Sequence, residues 1–275
     1  AAESPYAEMT SLEIEMHMKS MFLTENSKLE SFTIRNRRTT QEWMDILQHP
    51  LDRITQFTSN QNVILNMYEH HQSCASDILQ SEKRSGIRHQ WVICTREDVY
   101  FFSPLRLGAL LNRYMLSGRY CDLLTKDCLG WGGFNMRLQL MRRDIGLKAL
   151  QRITFYRDMY NLNLTAKMPE IFEVLQANRL GITSCLLPVE EMPVTAARLS
   201  YINGSLCFIH PELKDYNISS RPCVPQESMD FAISHICPRE KTRYQFIPWQ
   251  SFAFVPNSAF PKASKKLLYS SVRKP

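Results

Sequence analysis

The chain has 275 residues, of which 44% are hydrophobic and 22% are charged, and its formal net charge is +6. This composition argues against wholesale disorder, and no run of about 18 apolar residues is present that would form a membrane-spanning helix. The charge is segregated, because residues 81–160 hold 14 Lys and Arg against 7 Asp and Glu, and residues 239–275 hold 8 against 1. Such segregation indicates a polyanionic or acidic partner.

The N-terminal part of the chain predicts a layer of helices. Residues 10–22 combine capping-box spacing with an apolar helical stripe. Thr39 and Glu42 repeat the capping-box spacing, and Pro50 marks the end of that helix. Apolar residues at 63–68 predict a third helix.

The middle of the chain contains both strand-like and helical patterns. Two β-prone runs within residues 89–103 predict a hairpin. Helical spacing over residues 104–124, broken at Ser117-Gly118, predicts two helices joined by a turn. Residues 134–160 form the longest predicted helix, with Gly146 as the position where it kinks or splits.

Two elements in the C-terminal half have clear boundary signals. Residues 169–180 predict a helix, because Pro169 suits the first helical turn and Gly181 suits the end. The pair Asn203-Gly204 lies between two alternating runs and predicts a β-hairpin over residues 199–209.

These elements predict an α+β fold that is predominantly α-helical. Helical hairpins are expected through residues 10–180, followed by a small β-hairpin and an extended basic C-terminal arm. We expect residues 1–238 to form the globular domain, with a sub-boundary near residues 81–104, and residues 239–275 to form the arm.

The arm is a candidate partner-binding segment, because it is basic, aromatic and rich in proline. Lysine and arginine side chains meet phosphates, and aromatic rings stack on bases or fill pockets on a protein partner. In the alternative interpretation the aromatic rings pack on the protein's own core and the lysines are solvated. The candidate contact residues are Trp249, Lys262, Lys265, Lys266, Arg273 and Lys274.

A second basic region lies in the predicted long helix. Its alternative interpretation is a solvated outer face, with Asp144 and Asp158 as local ion-pair partners. Its candidate contact residues are Arg137, Arg142, Arg143, Lys148, Arg152 and Arg157. Five further arginines would extend this surface if the fold brings them together, namely Arg84, Arg88, Arg96, Arg106 and Arg113.

The cysteines leave two interpretations open. Eight cysteines and three Asn-x-Ser/Thr sequons are typical of a secreted disulfide-bonded glycoprotein. A chain of this length folds without disulfides, so we favour reduced thiols in an intracellular compartment, which includes an organelle or a virus particle. Five residues have a weak zinc-ligand pattern, whose commoner explanation is buried thiols and ordinary histidines. They are Cys207, His210, Cys223, His235 and Cys237.

No catalytic motif accompanies these features. The chain has neither a Gly-x-Ser-x-Gly elbow nor a His-Glu-x-x-His helix, and the glycines of residues 130–133 lack the Lys-Ser/Thr of a P-loop and predict a turn between helices. No cofactor or small-molecule substrate is indicated. The sequence therefore predicts a non-enzymatic structural subunit of a large assembly, such as an organellar ribosome or a virus particle, that contacts RNA, neighbouring subunits or both. The alternatives are an enzyme acting on nucleic acid and the secreted glycoprotein.

Overall fold

Helices and strands are mixed along the chain in a computed structural model that describes residues 37–55, 61–96, 99–116, 121–130, 133–202, 205–209 and 223–237. The helices are α1 (Thr40–Leu47), α2 (Gln61–Ser85), α3 (Leu107–Leu110), α4 (Arg143–Ala149), α5 (Arg152–Asn161), α6 (Pro169–Leu180) and α7 (Pro225–Phe231). Single π-helical segments continue α3 over Leu111–Leu116 and α7 over Ala232–Ile236. The strands are β1 (Trp91–Thr95), β2 (Val99–Phe101), β3 (Leu123–Lys126), β4 (Leu138–Arg142), β5 (Ser184–Leu187), β6 (Val194–Ala196), β7 (Arg198–Ile202) and β8 (Ser205–Ile209).

The ends of two predicted helices are confirmed by their caps. In α1 the Thr39 hydroxyl accepts a hydrogen bond from the Glu42 backbone N–H, and the Glu42 carboxylate accepts one from the Thr39 N–H, which completes a capping box. In α6 Pro169 occupies the first turn, and Gly181 ends the helix with a φ of 67°. Local capping chemistry therefore determines where these helices begin and end.

A four-stranded sheet with the order β1-β4-β3-β5 lies at the centre of the fold. β4 pairs antiparallel with both β1 and β3, and β3 pairs parallel with β5. β2 pairs with β6, and β7 pairs with β8 in the hairpin that the Asn203-Gly204 pattern predicts.

Apolar side chains fill both faces of the sheet. On one face Val92 and Met141 pack with Ala75 of α2 and Val174 of α6. On the other face Leu124, Leu138 and Leu140 pack with Leu110 of α3 and Val194 of β6. Helices α1, α2, α5 and α6 share a further apolar core that includes Trp43, Tyr68, Phe155 and Phe172. The sheet is thus covered on both sides, which explains why consecutive residues of β3 and β4 are buried.

The predicted helix over residues 134–160 is wrong. Its first part is strand β4, and two short helices, α4 and α5, follow the strand. Leu138, Met141 and Ile145 have helical spacing by coincidence, because a strand that is buried on both faces needs no polar alternation. Gly146 lies within α4, where an added Cβ would crowd the Val92 side chain.

Three other local predictions are also wrong. The runs within residues 89–103 form strands, but β1 pairs with β4 and β2 pairs with β6, so they are not a hairpin. Leu123 and Leu124 belong to β3 rather than to a second helix after residue 104. The glycine-rich segment at 130–133 connects strands β3 and β4 instead of two helices. Each error arises because strand pairing is not a local property of sequence.

Six cysteines form three pairs at disulfide distance. The Cα–Cα distances are 5.7 Å for Cys121 and Cys185, 5.5 Å for Cys128 and Cys237, and 4.7 Å for Cys207 and Cys223. Cys74 and Cys94 are not disulfide-bonded. These pairs do not identify a cellular compartment, so the reducing compartment stays a prediction.

Candidate nucleic-acid interface

Four chain segments meet at one end of the central sheet. β1 begins there and β4 ends there, since Trp91 is opposite Arg142. β3 and β5 also begin at this end, because Leu123 is opposite both Met141 and Ser184. The C-terminal end of α2 leads into β1, the end of α6 leads into β5, and α4 follows β4 directly. We call this region the basic end, after its residues Lys83, Arg84, Arg88, Arg142, Arg143, Lys148 and Arg179.

The last turn of α2 and the loop that joins α2 to β1 present much of this charge. Residues 83–90 are all exposed, and Ile87 retains 67% of its accessible surface. Gly86 adopts a φ of 70°, and its N–H donates to the Glu82 carbonyl oxygen over 2.9 Å. The Ser85 hydroxyl accepts a hydrogen bond from the Ile87 N–H at 3.2 Å. A left-handed glycine and a side-chain contact thus shape the loop, in which Arg88 is exposed.

Arg143 connects this loop to the sheet. Its backbone N–H donates to the Gln90 carbonyl oxygen at 2.9 Å, and its Nε donates to Glu82 Oε1 at 2.7 Å. A second contact joins Nη2 of Arg143 to the other Glu82 oxygen. These hydrogen bonds lower the pKa of Glu82 to about 2 and raise that of Arg143. Both groups therefore stay charged at neutral pH, and their pairing holds the guanidinium in a defined position.

Arg88 and Arg143 converge on one carboxylate oxygen. Arg88 Nη2 lies 2.8 Å from Asp144 Oδ1, and Arg143 Nη1 lies 2.7 Å from the same atom. Hydrogen bonds from Arg143 and Arg88 lower the pKa of Asp144. The side chains of Arg88 and Asp144 are 68% and 62% exposed, so this ion pair lies at the surface.

Positive charge dominates the basic end. Three carboxylates pair with its arginines: Glu82, Asp144 and, at 3.9 Å from Arg142, Asp122. Among the described residues of the basic end, all seven basic side chains except Arg143 are exposed. A concentration of exposed positive charge of this kind attracts polyanions through a field that salt screens.

The structure separates the six basic residues that were predicted to share one helix. Arg142, Arg143 and Lys148 lie at the basic end, and Arg157 is exposed on α5. Arg137 and Arg152 are 6% and 2% exposed, so both side chains lie inside the fold rather than on its surface. Lys83 and Arg179 complete the surface and were not predicted, although the run Lys83-Arg84 with Arg88 beside Gly86 is a sequence signal for a basic loop.

Arg152 belongs instead to a buried polar cluster. Its guanidinium lies 2.5 Å from Glu173 and donates to Gln139 Oε1 at 3.0 Å. It also contacts the His71 ring. Burial and the Arg152 charge hold the pKa of His71 well below its usual value. Because Arg152 and Glu173 are both almost inaccessible, their charges compensate each other inside the protein.

The other predicted site residues do not form part of this surface. The arm residues Trp249, Lys262, Lys265, Lys266, Arg273 and Lys274, together with His210, lie outside the residues that the structure describes. The proposed zinc ligands Cys207 and Cys223 pair with each other, and Cys237 pairs with Cys128. The His235 ring stacks on Phe231 with 4.2 Å between centroids.

The described ranges contain neither a metal-binding cluster nor a membrane-spanning helix. They contain no group of three or more His, Cys, Asp or Glu side chains placed to hold a metal ion. In the same ranges no helix has the length and apolar character that crossing a membrane requires. Comparison of the chain with protein-family models, with curated proteins and with solved structures finds no match.

Proposed function

We propose that this protein is a non-enzymatic structural subunit of a large assembly and that it contacts RNA through the basic end. The observation that carries the proposal is that the strand register and the ends of the helices bring seven basic residues from separate segments to one end of the sheet. Arginine and lysine side chains neutralise phosphates and release counterions, which supplies most of the affinity of sequence-independent binding. The predicted contacts of residues 239–275 would add to this surface.

We expect the basic end to orient the protein on RNA rather than to read the RNA sequence. Phosphate contacts fix the register and orientation of a protein on nucleic acid without reading sequence. Glu82 holds the Arg143 guanidinium, and the Gln90 carbonyl oxygen accepts from the Arg143 backbone N–H, so this guanidinium does not need to be ordered when a partner binds. We therefore expect binding that depends strongly on salt and weakly on RNA sequence.

The proposal is tested by measuring RNA affinity across a salt titration. The purified full chain is titrated against a fluorescent single-stranded RNA of about 30 nucleotides, and anisotropy is recorded between roughly 50 and 300 mM salt. The variant Arg84→Gln/Arg88→Gln/Lys148→Gln should lower the slope of log K against log salt by about 2, because each lost phosphate contact removes about 0.7 for a single strand.

A matched control removes the same charge at the opposite end of the molecule. Arg37, Arg157 and Lys167 are exposed, and Arg157 follows Tyr156, which contacts Gln61 at the start of α2. Glu82 lies 21 residues further along that helix, which corresponds to about 30 Å. The control Arg37→Gln/Arg157→Gln/Lys167→Gln should leave the slope within about 0.5 of the wild-type value. Equal slopes for both variants would exclude the basic end as the interface.

The assembly part of the proposal needs the native source. After isolation in gentle salt, the protein should sediment with a large particle that contains RNA. Sedimentation as a monomer that carries no nucleic acid would contradict a role as an assembly subunit.

A further inference from the structure

We propose that Arg88 and Arg143 form a phosphate-binding fork that the Asp144 carboxylate occupies in the absence of RNA, and that an RNA phosphate displaces this carboxylate. The inference rests on the proposed function and assigns a regulatory role within the same surface. Asp144 would act as an internal competitor that limits the affinity of the basic end for polyanions.

The geometry of the two arginines carries the inference. They come from different segments, the loop after α2 and the start of α4, yet each donates to the same Oδ1 atom of Asp144, at 2.8 and 2.7 Å. Two guanidinium groups that converge on a single anionic oxygen provide the donor arrangement that a phosphate oxygen requires. The carboxylate therefore stands where a phosphodiester oxygen would be bound.

The two arginines differ in how firmly they are held. Arg143 keeps its position without Asp144, because Glu82 engages two other nitrogens of its guanidinium. Arg88 lies on the exposed loop, where it forms an ion pair with Asp144. Displacement of Asp144 would thus leave one fixed guanidinium and one adjustable guanidinium facing the incoming phosphate.

Exchange of the carboxylate for a phosphate is energetically accessible. The Arg88–Asp144 pair is more than half exposed on both sides, and exposed ion pairs contribute little net free energy. A phosphodiester carries the same single negative charge as the carboxylate, and binding one releases counterions from the RNA. After exchange Asp144 returns to water at low cost, since its side chain is already 62% exposed.

The test compares two Asp→Asn variants that make the same change in net charge. Asp144→Asn removes the competitor, whereas Asp158→Asn removes a carboxylate on α5, at the opposite end of α2 from the fork. With the fluorescent RNA at about 100 mM salt, we expect Asp144→Asn to bind about five-fold more tightly than wild type, and Asp158→Asn to stay within about two-fold. The salt slope of Asp144→Asn should increase by about 0.7, as for one additional phosphate contact.

A second variant shows whether the gain passes through the fork. In Arg88→Gln/Asp144→Asn the arginine released from Asp144 is no longer present, so the five-fold gain should fall below about two-fold. Equal melting temperatures for all variants would show that the differences do not arise from unfolding.

The possible outcomes separate this inference from the proposed function. If wild type binds RNA and Asp144→Asn binds no more tightly than Asp158→Asn, the internal competitor is refuted and RNA binding stands. If Asp144→Asn binds and wild type does not, the competitor is supported in its strongest form. If neither protein binds RNA, both the inference and the proposed RNA contact are refuted.

Discussion

Replacement of Arg152 by leucine should be among the most destabilising single changes in this protein. The guanidinium is 2% exposed and lies 2.5 Å from Glu173, which is itself 4% exposed. In Arg152→Leu the Glu173 carboxylate would remain buried, with Gln139 as its recorded hydrogen-bond partner. Removal of one member of a buried ion pair typically costs about 3–5 kcal/mol, because the remaining charge is no longer compensated.

Urea denaturation, with all variants under the same redox conditions, measures this loss of stability. With an m-value of about 3 kcal/mol/M, the midpoint should fall by more than about 1 M. Arg157→Leu is the matched control, since Arg157 is an exposed arginine on the same helix and its replacement should change stability by no more than about 0.5 kcal/mol. The double variant Arg152→Leu/Glu173→Leu should be less destabilised than the sum of the two single variants, because it leaves no unpaired charge.

The loss should also depend on pH. Burial already raises the pKa of Glu173 and Arg152 opposes that rise, so removal of Arg152 should raise the pKa further. A carboxyl whose folded pKa exceeds its unfolded value is most stabilising below the unfolded pKa, and this contribution is lost as pH rises through the folded pKa. The loss of unfolding free energy in Arg152→Leu should therefore be larger at pH 8 than at pH 5. A loss below about 1 kcal/mol at both pH values would refute the view that this pair is compensated internally.

Two further predictions concern His71 and Gly133. Burial and the Arg152 charge hold the pKa of folded His71 below its unfolded value, so the stability of the wild type should fall as pH drops below about 6.5. The difference in unfolding free energy between wild type and His71→Gln should therefore change by up to about 1.4 kcal/mol per pH unit. A difference that stays constant with pH would contradict this prediction. Burial raises the pKa of Glu170 to about 7, so its contribution to stability has the opposite pH dependence. Glu170 is present in both proteins, and its contribution therefore cancels in the difference between them. In Gly133→Ala the new Cβ would overlap the Glu170 backbone, which should cost about 1–3 kcal/mol in thermal or urea unfolding. In Gly108→Ala no other described part of the chain lies within 4 Å of the added Cβ, apart from the surrounding backbone of the helix itself, so this change should be neutral or stabilising. Equal effects of the two changes would disprove the clash.

Elements with local boundary signals could be predicted from the sequence. The ends of α6 follow from Pro169 and Gly181, and the β7–β8 hairpin follows from the Asn203-Gly204 turn. The capping box of Thr39 and Glu42 likewise specifies the start of α1. In each case a few neighbouring residues determine the backbone geometry, so the signal does not depend on the rest of the fold.

The central sheet could not be predicted in this way. All four residues of β3 are buried, and β4 is buried at every position except Arg142, so neither strand shows the period-2 alternation of a half-exposed strand. The basic end depends on that sheet, because it is the pairing of β1 with β4 that brings Arg88 beside Arg143. Residue spacing along the chain contains no record of this pairing, which explains why Arg179 was missed. Lys83 was missed although its run with Arg84 is a local signal.

Helix α2 links the buried cluster to the proposed interface. Side-chain contacts hold α2 at three positions along its length, namely Gln61 to Tyr156, His71 to Arg152, and Glu82 to Arg143. A helix held at both ends and in the middle cannot shift without breaking one of these contacts, so Glu82 provides a stable anchor for the Arg143 guanidinium. An interface that is ordered before binding loses less conformational entropy when it meets a polyanion. The internal Arg152 cluster should therefore affect RNA affinity only through folding, whereas Glu82 should affect it directly, through the position of Arg143.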